Sequence, residues 1–352
     1  MSNLIQYLEQ AVSSGASDLF LVAGGPVSVK LEGHIRPLAE AKLLPPDTTE
    51  FISQIYAMAN RPMELYHQTG DDDFSFAVSG LARFRVNAYK QRNSMAAVVR
   101  IVSFDIPKWE DIHIPPQVMD LADTQHGMIL VTGTAGSGKS TTQACIIDRI
   151  NRTRDCHIIT LEDPIEFLHR NQRSIVSQRE IAIDTADYLS ALRSCLRQAP
   201  DVILLGEMRD AETIRTAITA AETGHTVIAT LHTNGAVNSI ERIIDSFSTS
   251  HQAQIRIQLS TVLRTVVSQQ MMPDKNGNMI PAFEIMHINS AIRSMIRDNK
   301  NHQIANTITA SRAEGMISMD QSILDLYRKG LISRETALHY AEHPEQLQRQ
   351  LM

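Results

Sequence analysis

Apolar and polar positions change rhythm along this 352-residue chain. Near the N-terminus Leu4, Ile5, Leu8, Ala11 and Val12 recur at helical spacing and stop at Gly15, which predicts an amphipathic helix. Val27, Val29 and Leu31 then alternate up to a Glu32-Gly33 turn, as a half-buried strand does. Phe51, Ile52, Ile55, Tyr56 and Ala59 predict a second amphipathic helix ending near Arg61-Pro62. Phe74, Phe76 and Val78, then Phe84, Val86 and Ala88, predict two more strands. Residues 1–103 therefore read as a small α+β domain. The proline-marked stretch from Ile106-Pro107 to Pro115-Pro116 predicts a linker, residues 104–117.

Beyond it the texture is of short continuous apolar runs alternating with helical patterns, the mark of a parallel sheet. Strands are expected at residues 128–131, 158–161, 202–205 and 227–229. A helix capped by Asp184 is expected to turn Tyr188, Leu189, Leu192, Cys195 and Leu196 inward. After residue 250 helical patterns dominate, with one strand-like insert at 282–286. A core over 118–289 and a helical C-terminal region over 290–352 follow. The chain shows no internal repeat and no low-complexity segment.

Composition narrows the classes. A formal charge of −6 and 5% aromatic residues argue against extended non-specific contact with nucleic acid. No apolar run approaches the roughly 18 residues of a membrane span, and the N-terminus lacks a signal-peptide pattern. Cys145, Cys156 and Cys195 form no C-x-x-C pair and read as reduced thiols of a cytosolic protein.

Candidate chemistry begins directly after Met128, Ile129, Leu130 and Val131. Gly133, Thr134, Ala135, Gly136, Ser137, Gly138, Lys139 and Ser140 spell the phosphate-binding loop G-x-x-x-x-G-K-[ST], opening onto a helix at Thr141. Glycines let main-chain N–H groups turn toward phosphate oxygens, and the helix N-terminus adds partial positive charge. Lys139 is expected to reach the β- and γ-phosphates of ATP, and the Ser140 hydroxyl to sit on Mg²⁺.

The later strands of the core also end in polar residues, where an open α/β sheet places its ligand crevice. Glu207, after the apolar run 202–205, is the expected water-orienting base, the alternative being a plain salt bridge to Arg209. Gly206 takes the usual aspartate slot, so any metal contact from Glu207 would pass through water. Glu162, Asp163 and Glu166 are candidates for the missing acidic contact, Asp163 reading equally well as a cap. His232 suits a γ-phosphate sensor; His225 is a second candidate, and neither makes a metal site by itself.

Together these residues resemble the secretion and pilus motor ATPases, most closely the type IV pilus retraction or twitching-motility (PilT) family. The resemblance covers nearly the whole chain. It rests on the phosphate loop, the acidic box from His157 to Phe167, the second motif from Pro200 to Asp210 and the histidine box from Thr223-Gly224-His225 to His232-Thr233-Asn234. It implies a RecA-like P-loop core behind a PAS-like N-terminal domain, assembled as a homo-hexamer. It makes Glu207 the catalytic base, with Glu166 assisting, and sends arginines to a neighbour's nucleotide; Arg83, Arg85 and Arg100 are the candidates here. Residues 291–300, Ala291-Ile292-Arg293 to Lys300, resemble an element linked to retraction. The implied partners are the pilus machinery and its inner-membrane platform protein, with the motor cytoplasmic, docked peripherally and not inserted. Neither an accessory retraction ATPase nor an assembly ATPase is separated by these motifs, although the absence of C-x-x-C pairs disfavours the latter. A RecA-like DNA motor and a nucleotide-binding scaffold are the readings from other classes.

Overall fold

A computed structural model of the chain describes residues 4–31, 33–102 and 106–351. Glu32 of the expected turn and residues 104–105 of the expected linker lie outside them. The chain divides into two compact units, residues 1–105 with 166–168, and residues 106–165 with 169–352.

The first unit is a six-stranded antiparallel sheet. Its strands are β1 (Asp18–Val22), β2 (Pro26–Leu31), β3 (His34–Lys42), β4 (Asp71–Val78), β5 (Ala82–Gln91) and β6 (Ser94–Val102), in the spatial order β3-β2-β1-β6-β5-β4. The helices Leu4–Ser13 and Pro45–Met58 bury Leu4, Leu8, Phe51 and Ile55 in one core with Leu19, Leu21, Phe84 and Val86 of the sheet. Period-two alternation leaves Arg83 and Arg85 half-buried on the opposite face of β5. The strands β1 and β3 escape sequence patterning. One is only 5 residues long, and the other is exposed or half-exposed throughout, so neither alternates visibly.

The second unit is built on a seven-stranded sheet. Its strands are β7 (Gly127–Thr132), β8 (His157–Glu162), β9 (Ile175–Glu180), β10 (Val202–Leu205), β11 (Thr226–Leu231), β12 (Leu263–Pro273) and β13 (Met279–His287). The order is β13-β12-β7-β11-β10-β8-β9, parallel except for β13, which returns antiparallel beside β12. Every residue of β7, β10 and β11 is buried, as a strand covered on both faces requires. Helix Lys139–Thr153 covers one face through Cys145, Ile146, Ile147 and Ile150. Helices Tyr188–Cys195, Ala211–Glu222 and Ala236–Asp245 cover the other.

Some expectations need correction. Asp184 is not the helix cap: its carboxylate accepts the N–H of Glu180, while Asp187 caps Tyr188–Cys195 by accepting from Ser190 N at 2.7 Å. The helical texture expected after residue 250 also hid β12, 11 residues long, because a strand flanked by β7 and β13 is buried on both faces and need not alternate. The helix Ser290–Arg297 does form, with Ile292 and Ile296 buried and Arg297 exposed. All three cysteines are free. Burial pushes the Cys145 thiol up to about 12, so it stays protonated and unreactive. Among the described residues no helix is long and apolar enough to cross a membrane.

Candidate active site

The site is assembled at the C-terminal ends of the parallel strands. Thr132, the last residue of β7, is level with Leu231 of β11 and Ser268 of β12. The chain then turns through Gly133, Gly136 and Gly138, all at positive φ, into helix Lys139–Thr153. At Gly133 the requirement is steric as well as conformational: a Cβ would overlap the carbonyl of Gln269 and come within 2.6 Å of Ser137 Oγ.

Lys139 is only 8% exposed, and its ammonium donates to the carbonyls of Gly133 at 2.7 Å and Thr134 at 2.8 Å. Ser137 Oγ is buried without a hydrogen-bond partner. A buried cation resting on its own loop's carbonyls and an orphaned hydroxyl in the same turn suit an anion-binding cradle. These donors fit a polyphosphate, with Ser140, half-buried one residue beyond Lys139, available to its magnesium. Thr141 is likewise half-buried on the first helical turn. Among the described residues no group of three or more His, Cys, Asp or Glu side chains is set to hold a metal ion.

Beside the loop lies a cavity of about 400 Å³, lined by Asp111 and Ile114 of the segment before β7, Gly138 of the loop, Thr141 of the helix after it, and Gln269 and Ile280 of the sheet. Its mixed apolar and polar walls suit the base and ribose end of a nucleotide.

At the neighbouring strand ends, Gly206 N donates to Leu161 O at 2.7 Å and Met208 N to Thr230 O at 3.3 Å, holding the turns after β8, β10 and β11 together. The Thr230 hydroxyl adds a hydrogen bond to the Gly206 carbonyl. Glu207 follows, its side chain 20% exposed. One of its oxygens accepts from Arg209 Nε at 2.8 Å, and the other lies 3.5 Å from His232 Nε2. The salt bridge to Arg209 expected as the alternative is present, and the second carboxylate oxygen faces His232. Glu162 accepts from Thr160 Oγ1 at 2.6 Å and from Gln178 at 3.3 Å, which fixes it at the end of β8.

The structure does not gather every candidate. His225 precedes β11, its Nδ1 2.9 Å from Ala220 O. The 6 residues of β11 separate it from His232, roughly 20 Å of extended strand. A role for His225 at its own chain's phosphate loop is therefore withdrawn. Glu166 is exposed and groups with the first unit. Asp163 is exposed, joined to Pro164 by a cis peptide. In the first unit, Arg85 and Arg100 stand directly opposite each other on β5 and β6. Each has a carboxylate partner: Asp73 at 3.5 Å for Arg85, and the buried Asp18 at 3.0 Å for Arg100.

Sequence reasoning missed two neighbours of the site. Tyr188 reads as one more inward helical residue, yet its hydroxyl sits 2.8 Å from where a Cβ on Gly206 would stand. That explains why glycine replaces an acidic residue in the second motif. Burial raises the Tyr188 pKa, and the charges of Asp163 and Glu207 raise it further, so the phenol stays protonated among the carboxylates.

Glu284 on β13 is the other. Its Oε1 accepts the N–H of Ala236 at 2.6 Å and so caps the helix that follows the His232 turn, where Gly235 offers no side chain. Burial pushes this carboxyl up to about 7, with Glu342 and Asp320 adding to the shift against the Ala236 hydrogen bond. The protonated form is favoured in the folded chain. Its stabilisation is complete below the ordinary carboxylate value of about 4.3 and is lost as pH rises through about 7. Glu284→Gln keeps an acceptor for Ala236 and removes that titration. Thermal melts at about pH 5 and about pH 8 should therefore show a smaller drop for the variant than for the wild type. Equal slopes would mean Glu284 does not titrate in this range.

A parallel sheet carrying a phosphate loop, with a carboxylate and a histidine facing each other at adjacent strand ends, defines a P-loop nucleoside triphosphatase. Residues 2–336 match the family described as Type II/IV secretion system protein, and the chain belongs to that family. It is 41% identical over 344 residues to the type IV pilus retraction ATPase PilT of Pseudomonas aeruginosa, covering 97% of this chain and 99% of the relative. The type IV pilus ATPase PilU of the same organism is 37% identical over 341 residues, with 97% and 89% covered. The crystal structure of the pilus retraction motor PilT with bound ADP is 42% identical and superposes with a TM-score of 0.91, over 99% of this chain and 100% of the other.

Proposed function

We propose that this chain is an ATP-hydrolysing motor that retracts type IV pili. The observation that carries the reading is the phosphate cradle around Lys139 and Ser137 beside the Glu207–His232 pair, in a chain matched end to end by a retraction ATPase. ATP with Mg²⁺ supplies the scissile phosphoanhydride and the charge neutralisation of its oxygens.

The chain's own residues do the rest. Main-chain N–H groups of residues 133–138 and the Lys139 ammonium bind and orient the phosphates. Ser140 is the residue that would hold the metal. Glu207 orients water and accepts its proton, and His232, whose Nε2 lies 3.5 Å from that carboxylate, senses the terminal phosphate. The protonated Tyr188 phenol restrains the turn that presents Glu207. Glu162 tunes the charge around the water, and for Glu166 an assisting role is carried by the family resemblance alone.

In architecture, the second unit has a RecA-like core over residues 118–289 and a helical C-terminal region over 290–352, and the first unit is PAS-like. The working form is a homo-hexamer in the cytoplasm, docked on the membrane platform of the pilus machine. Arg83, Arg85 and Arg100 act on the nucleotide of an adjacent subunit. Mixing Lys139→Ala subunits with subunits carrying an arginine-to-alanine change should therefore recover part of the ATPase rate. Mixtures with no recovery for any of the three arginines would remove catalysis in trans.

Deleting the gene and counting surface pili tests the function itself. Hyperpiliated cells that no longer twitch are expected, whereas bald cells would mean assembly. The second reading, an accessory retraction ATPase, is kept open by the 37% identity to PilU. It would show as surplus pili with much of the twitching retained.

A further inference from the structure

The phosphate loop is shaped from outside its own sequence. Gln269 follows Ser268, which is level with Thr132, so it lies beside the point where β7 becomes the loop. It is 3% exposed, on a strand between β7 and β13. It touches the nucleotide cradle with three separate groups. Its main-chain carbonyl occupies the space a Cβ on Gly133 would need. Its Oε1 accepts from Thr142 Oγ1 at 2.8 Å, a buried bond to the first turn of the phosphate-loop helix. Its Nε2 stands 2.8 Å from where a Cβ on Gly138 would lie, and both residues line the cavity beside the loop.

We propose that Gln269 is a positioning residue for nucleotide binding, clamping Gly133, Gly138 and Thr142 so that the loop's curvature is set before the phosphates enter. The inference rests on the nucleotide-site reading above. The side chain must reach both Thr142 and Gly138, which asparagine is one methylene too short to do. It must also be uncharged. A glutamate of the same size would place a negative charge against a loop that receives a polyphosphate. Leucine keeps most of the volume but leaves the Thr142 hydroxyl, 1% exposed, without its acceptor. Thr142→Val removes the same hydrogen bond from the other side.

The test measures ADP dissociation constants and nucleotide-free melting temperatures for the wild type, Gln269→Leu, Gln269→Glu, Thr142→Val and the double variant Gln269→Leu/Thr142→Val. Each single change is expected to weaken ADP binding by about tenfold or more, with the glutamate the weakest. The double variant should be no worse than the poorer of its two single changes, because both act through one bond. The melting temperature without nucleotide should move less than the ADP-induced shift does, since a merely structural residue would lower both alike. The proposal is overturned if Gln269→Leu binds ADP within twofold of the wild type, or if the losses of the single variants multiply in the double. Should Gln269→Leu not fold, Gln269→Glu and Thr142→Val carry the same comparison. A wild-type protein that binds no ADP would sink the nucleotide site itself, a separate failure.

Discussion

Glu207→Gln is expected to bind nucleotide as the wild type does and to lose turnover by about 10²–10⁴-fold, the usual contribution of a positioned general base. Glutamine keeps the volume and can still accept from Arg209, so the local fold is spared. What disappears is the basic oxygen facing His232. Turnover and the dissociation constant for ADP separate the two effects. A variant hydrolysing ATP near the wild-type rate would remove Glu207 from the chemistry and leave it as the partner of Arg209. A purely structural salt bridge would not need its second oxygen turned toward a histidine at the end of the adjacent strand.

Gly133→Ala should weaken nucleotide binding by about tenfold to a hundredfold, from local strain of order 1–3 kcal/mol. Its φ of 143° is outside the range alanine adopts readily, and the new methyl would meet a main-chain carbonyl of β12. That carbonyl is part of a buried strand packed between β7 and β13, so the loop must move instead. Gly136→Ala is the comparison. Gly136 also has positive φ, at 77°, but nothing lies within 4 Å of its Cβ position, so only the backbone cost of about 1–2 kcal/mol remains. If Gly133→Ala binds ADP like the wild type, the contact with Gln269 does not shape the loop.

Much of this could be read from local pattern because the physics involved is local. The run Met128 to Val131 is a buried strand, and a strand leading into G-x-x-x-x-G-K-S has few other uses. Val202 to Leu205 emerges as β10 with the expected ends, since a four-residue apolar run bounded by polar residues leaves little choice of register. The alternation of Arg83 and Arg85 with Phe84 and Val86 likewise follows from the two-residue period of a strand. Membership in the family follows from the same motifs, which span nearly the whole chain.

Other features depend on residues far apart in the chain. Gln269 and Thr142 are 127 positions apart, and no spacing rule joins them. Glu284 caps a helix that starts 48 residues earlier. The two histidines look alike in sequence, but the strand between them carries one to the nucleotide end of the sheet and leaves the other at its start. Local propensity sets the strands, turns and phosphate loop, because backbone conformation and burial period depend on near neighbours. Which side chains press on that loop, and which glycine must stay bare to admit a phenol, is settled only when the sheet order brings β12, β10 and helix Tyr188–Cys195 to their neighbours. Such contacts arise from packing across long sequence separations, and no local pattern encodes them.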